Sequence, residues 1–133
     1  MKRFVLLYTL LLSLFSCSNN NRMSELSSID NMLDSLDYAS ASKALVKIGT
    51  EKLSGEQKAY YQLLKTRYAF GKNSFIDDSL SLNACIDYYK AKNMKDELAR
   101  AYFYKGEMYR LAGDMAKALF YEKNRNSYSK TVI

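Results

Sequence analysis

The sequence predicts an all-α fold, a stack of about three antiparallel helical hairpins, because three features agree. The 133 residues contain no proline and only five glycines, too little punctuation for a sandwich or barrel with many tight turns. Apolar side chains recur at three- and four-residue spacing along most of the chain, which is the period of one helical face. One segment is also a copy of another: Ala59-Tyr60-Tyr61 through Ala69-Phe70-Gly71 aligns without a gap on Ala101-Tyr102-Phe103 through Leu111-Ala112-Gly113, an offset of 42 residues. Internal similarity of that kind marks helical pairs that bury their faces only against their neighbours.

The elements follow in order. Leu26, Ile29, Leu33 and Leu36 place a first helix over 24–36, and Ala41, Ala44, Leu45 and Ile48 place a second over 38–48. Gly49 and Thr50 interrupt the pattern. Ser54-Gly55-Glu56-Gln57 has the form of a capping box, with Ser54 accepting from a free backbone N–H and Gln57 reaching back. It opens a third helix through Tyr60, Leu63, Leu64 and Tyr68, closed by Gly71. Asp77 or Asp78 caps a fourth, which runs to Ala91, and Asn93 or Asp96 starts a fifth that ends near Gly113. Glycine at these ends can take the left-handed conformation without a Cβ penalty. The sixth begins at Asp114, and Asn124-Arg125-Asn126-Ser127 reads as its frayed end.

The first 16 residues have the pattern of a targeting segment. Met1-Lys2-Arg3 is a short positive region, and the uncharged run Phe4 to Phe15 is too short for the ~20 residues that a membrane-spanning helix needs. The run ends in Leu14-Phe15-Ser16-Cys17, which resembles the lipobox of bacterial lipoproteins, with Phe15 a departure from the usual small or aliphatic residue. The resemblance implies cleavage before Cys17, lipid attachment to its thiol and anchoring to a bacterial membrane, periplasm-facing rather than at the cell surface. A polar tether over 17–23 then leads to a helical-repeat domain over 24–133.

Setting Lys2 and Arg3 aside leaves 18 basic against 14 acidic residues, scattered and not gathered in a run, so nucleic acid is not an expected partner. There is no histidine, which removes the commonest general base and the commonest metal ligand together. No glycine-rich phosphate loop is present. The adjacent pairs Asp77-Asp78 and Asp96-Glu97 face different directions on a helix and suit capping rather than acid–base catalysis. Cys85, in an apolar helical stretch, behaves as core filler. No enzyme, metal or cofactor is expected.

From Ala99 onward the chain resembles the tetratricopeptide repeat. Tyr102 stands at the large aromatic position, Gly106 at the small one and Tyr109 at the next aromatic, with Gly113 in the turn and Ala118 in the second helix. Tyr60, Leu64 and Gly71 repeat part of that pattern, and Ala84, Tyr88 and Ala91 reproduce the second-helix spacing. Lys105, Glu122 and Arg125 depart from it. The resemblance implies a right-handed solenoid that binds proteins or peptides, like the N-terminal part of large membrane-tethered repeat lipoproteins and regulators. The expected function is a membrane-anchored protein-interaction scaffold. The alternatives are the input domain of a membrane-tethered signalling regulator and an accessory lipoprotein for glycan capture. Tyr61, Tyr89, Phe103 and Tyr104, beside the core stripe in helical phase, are candidate partner-binding residues, with Arg67 and Lys105 as surface charges among them. Self-association through the open end of so short a stack is expected as well.

Overall fold

The computed structural model describes residues 21–74 and 79–129, and every regular element among them is helical. Helix α1 covers 21–34, α2 Tyr38–Lys47, α3 Gly55–Gly71, α4 Ser79–Ala91, α5 Lys95–Leu111 and α6 Met115–Ser129, with a single 3-10 turn at Thr50–Lys52. The leader, Cys17 and the Asp77 and Asp78 caps lie outside the described residues. Residues 21–23, expected in the tether, are already helical, and Met23 packs on the first core cluster. No helix among the described residues is long and apolar enough to cross a membrane.

The same backbone device ends four of the helices. Leu36, Asn73, Asn93 and Gly113 all have positive φ, at 61°, 51°, 55° and 79°. After each, the next amide donates to a carbonyl five residues back: Asp37 to Met32, Ser74 to Ala69, Met94 to Tyr89 and Asp114 to Tyr109, at 2.8–2.9 Å. The positive-φ residue itself donates three residues back, to Leu33, Phe70, Lys90 and Arg110 respectively. This pair of bonds satisfies the last carbonyls of a helix and reverses the chain within two residues.

Gly71 is therefore not the left-handed residue that the sequence led us to expect; Asn73 takes that role, and Gly71 lies in the last turn of α3 against the Tyr38 ring, where a Cβ would collide. Asn73 and Gly113 are forty residues apart, so the backbone repeat is two residues shorter than the 42-residue repeat of side chains. In the backbone register the buried Thr66 of α3 is the position equivalent to Gly106 of α5.

Helix starts are set by local polar contacts. Ser54 Oγ accepts from the Gln57 amide at 3.4 Å while the Ser54 amide donates to Gln57 Oε1 at 3.0 Å, the expected capping box. Asp37 and Asp114 accept from the Ser40 and Lys117 amides, both at 3.1 Å. Helix α5 differs from expectation: Met94 precedes it without a side-chain cap, and Asn93 belongs to the turn before.

The core is in two layers that share α3. Leu26, Ile29 and Leu33 of α1 meet Ala41 and Leu45 of α2 and Leu64 of α3. Ala59 and Leu63 of α3 meet Leu82, Cys85, Ile86 and Tyr89 of α4, with Leu98 and Ala101 of α5. The neighbours Leu63 and Leu64 thus point into different layers, as adjacent positions on a helix must. Helix α6 covers α5 through Ala118 and a ring stack in which Tyr121 and Tyr128 lie 5.8 and 5.9 Å from Tyr102. That stack carries α6 past the expected fraying point. Asn124 and Ser127 bond back along their own helix, to the Phe120 and Asn124 carbonyls at 2.7 Å, so polar side chains there do not break it.

Candidate partner-binding groove

Helices α3 and α4 diverge around a groove of about 440 Å³. Its base is apolar, formed by Ala59, Ala84 and the buried Cys85. Tyr61 of α3 and Tyr88 of α4 form the walls, and among the described residues the charged ones that line it are Lys58 and Lys65. Gly55, in the first turn of α3, makes room for Tyr88: a Cβ there would sit 2.9 Å from the Tyr88 ring. The Tyr61 hydroxyl donates to the Leu45 carbonyl at 3.4 Å, tying the wall to α2, and the Lys65 ammonium lies 6.0 Å from the Tyr61 ring centroid. Burial raises the Tyr61 hydroxyl above its ordinary pKa. The Cys85 thiol, pushed up to about 12 by burial and donating to the Ala59 carbonyl at 3.3 Å, is packing and not a nucleophile.

A polar cluster occupies a different place, where α1, α3 and α5 meet. Asp30 accepts from Arg100 at 2.8 and 3.1 Å, from the Tyr60 hydroxyl at 2.8 Å, and from Arg67, which also pairs with Asp34. Burial works to raise the Asp30 carboxyl; the hydrogen bonds from Arg100 and Tyr60, with the charges of Arg100 and Arg67, outweigh it and hold the group below the usual carboxylate range. Tyr60 responds in the opposite sense, raised to about 12 by burial and by its bond to Asp30. Next to this cluster, Tyr60, Tyr89, Glu97 and Arg100 line a cavity of about 130 Å³.

The candidate partner-binding residues separate once burial is known. Tyr61 is half-buried and lines the groove. Arg67 has its charge taken up by Asp30 and Asp34. Phe103 is half-buried, in edge contact with Phe70 and under the Arg125 guanidinium. Tyr89, Tyr104 and Lys105 are corrections: they are 1%, 9% and 1% exposed, so none of them offers a surface to a partner. The Lys105 ammonium lies 5.3 Å from the Tyr109 ring centroid, inside the fold.

The second-helix assignment shifts by one residue. Ala84 and Ala91 are exposed and Tyr88 only half-buried, while Leu82, Cys85, Ile86 and Tyr89 form the buried stripe of α4. A one-residue slip turns a helix by about 100°, enough to exchange its inner and outer faces. The i, i+3, i+4, i+7 spacing of that stripe was present in the sequence and pointed to this face. The remaining repeat-defining positions pack as their residue types suggest: Leu64, Tyr102, Gly106 and Ala118 are buried, and the Tyr109 ring stacks on Tyr121 at 5.5 Å. Cys17 with Leu14, Phe15 and Ser16 lies outside the described residues. No group of three or more potential metal ligands occurs among the described residues. Comparison with protein-family models, with curated proteins and with solved structures gives no match to this chain.

Proposed function

We propose that this chain is a membrane-anchored scaffold of tetratricopeptide-like helical pairs, held at a bacterial cell envelope by a lipid-modified Cys17, and that it binds a partner protein in the α3–α4 groove. The observation that carries the reading is the groove itself: an apolar base between two tyrosine walls, open to solvent, in a helical frame. A groove of this kind takes the apolar face of a helix or an extended segment, with anchoring side chains between the aromatic walls. Lys58 and Lys65 at its rim add attraction for a partner with acidic residues beside its apolar anchors.

The test is photo-crosslinking from envelope membranes of the full-length chain, with the reactive residue at Lys58 and, as a control, at the exposed Val46. A discrete adduct from Lys58 alone, lost in Tyr88→Ala and in Cys17→Ala, supports an anchored scaffold with its partner in the groove. Adducts equally strong from Val46, or unchanged by Tyr88→Ala, would place binding elsewhere and sink the assignment.

A further inference from the structure

The cavity of about 130 Å³ beside Asp30 is walled by residues of four helices, α1, α3, α4 and α5. Tyr89 of α4 is 1% exposed, and its hydroxyl has no hydrogen-bond partner among the described residues. That hydroxyl is within electrostatic reach of Tyr60, Glu97 and Arg100, which all line the cavity, so it faces this space. The neighbouring Cys85 thiol gives its hydrogen to the Ala59 carbonyl instead. Glu97 of α5 and Glu56 of α3 also line the cavity, and neither makes an ion pair among the described residues. Arg100, the base among the described lining residues, has its charge taken up by Asp30 through bonds of 2.8–3.1 Å. The lining therefore keeps a net negative charge. The Tyr60 hydroxyl gives its hydrogen to Asp30, so toward the cavity it can only accept. Met23 and Met94 add soft, apolar surface.

From this arrangement we infer that the cavity binds the amino-alcohol end of a ligand, a primary ammonium joined by a short carbon link to an oxygen. At about 30 Å³ for each water-sized group, the space takes roughly four non-hydrogen atoms. The ammonium donates to Glu97, Glu56 and the Tyr60 oxygen, the charge-assisted bonds that are strongest in a partly desolvated site. The carbons lie against the methionines, and the ligand oxygen accepts from Tyr89. An anion would meet two carboxylates, and a purely apolar guest would leave Tyr89 and both acids unanswered. A metal ion would find no group of three or more His, Cys, Asp or Glu among the described residues. The ligand has two sources, a free amino alcohol or the same group at the head of a lipid. This site stands apart from the α3–α4 groove, with which it shares no lining residue.

The experiment titrates the full-length chain, in detergent and an amine-free buffer, with ethanolamine, and follows the ligand resonances by NMR. Ethanol and propylamine, which each lack one end, are the comparisons. Wild type should bind ethanolamine in the millimolar range expected of so few atoms, and at least about tenfold more tightly than either comparison. Tyr89→Phe keeps the ring and removes the donor. It should melt at or slightly above the wild-type temperature, yet bind ethanolamine no better than propylamine. Glu97→Gln should weaken binding by about tenfold or more. Glycerophosphoethanolamine bound more tightly than ethanolamine assigns the site to a lipid head group, and the reverse order assigns it to the free amino alcohol. A wild-type cavity that holds ordered water only, with no ethanolamine bound, would overturn the inference. So would undiminished binding by Tyr89→Phe, or ethanol and propylamine bound as well as ethanolamine.

Discussion

Tyr60 and Tyr89 set the same phenol in two different polar environments. The Tyr60 hydroxyl donates to Asp30, whereas the Tyr89 hydroxyl is buried without a hydrogen-bond partner among the described residues. Burial, reinforced by the Cys85 and Glu97 charges, drives the Tyr89 pKa far up, so the group stays neutral at any physiological pH. A buried hydroxyl that has lost water and gained no partner is a net cost, while one bonded to a carboxylate contributes about 1–2 kcal/mol. Tyr89→Phe is therefore expected to leave stability unchanged or raise it by up to about 1 kcal/mol, and Tyr60→Phe to lower it by about 1–2 kcal/mol. Urea titrations of both variants check the pair; a large loss for Tyr89→Phe would mean that its hydroxyl is satisfied, for instance by water in the adjoining cavity. At this scale the sequence was only partly legible. A stripe of tyrosines at helical spacing does not show which ring is inside, and in α4 the small-aromatic-small pattern of Ala84, Tyr88 and Ala91 competes with the apolar stripe from Leu82 to Tyr89 that is in fact buried.

The helix ends are the clearest regularity at the scale of elements, because four turns use one hydrogen-bond pattern with three residue types in its left-handed position. Glycine suits that position and asparagine tolerates it, whereas leucine is held there by the packing on either side. For a residue with a Cβ the left-handed conformation costs roughly 1–2 kcal/mol, and the greater chain entropy of glycine returns roughly 0.5–1 kcal/mol of any relief. Leu36 is 68% exposed, so it has little packing to lose. Leu36→Gly is expected to stabilise the fold by about 0.5–1 kcal/mol, and Gly113→Ala to destabilise it by about 1 kcal/mol. Thermal melts monitored by circular dichroism test both signs. Glycine and asparagine at 73, 93 and 113 marked their turns within a residue or two, but nothing in the local sequence distinguishes Leu36 from a helical leucine. A glycine near a helix end has two causes, backbone conformation and close approach, and at Gly71 the Tyr38 ring that selects the second lies more than thirty residues away in the chain.

Over the whole molecule, Asp30 of α1 bonds to α3, which belongs to both core layers, and to α5, whose buried residues lie in the layer that α1 does not share. Its folded pKa lies below its unfolded value of about 3.9, so its contribution is complete above that pH and is lost as pH falls through the folded pKa. Stability should decline below about pH 4 as the carboxyl protonates and releases Arg100 and Arg67. Asp30→Asn should be less stable at pH 7 by about 2 kcal/mol, and its stability should change less between pH 4 and pH 2. Urea midpoints measured across that interval give both quantities, and parallel profiles for the two proteins would show that Asp30 is not the group responsible. By itself the sequence determined the helical class, most helix boundaries and the capping box, because those depend on periodicity and on side chains within four residues of one another. Only the tertiary structure decided which tyrosines are buried, that Arg67 and Arg100 serve an internal carboxylate, and that a groove opens between α3 and α4. Each of these depends on how one helix is rotated and placed against another, which contacts between residues far apart in the chain decide and a local pattern does not contain.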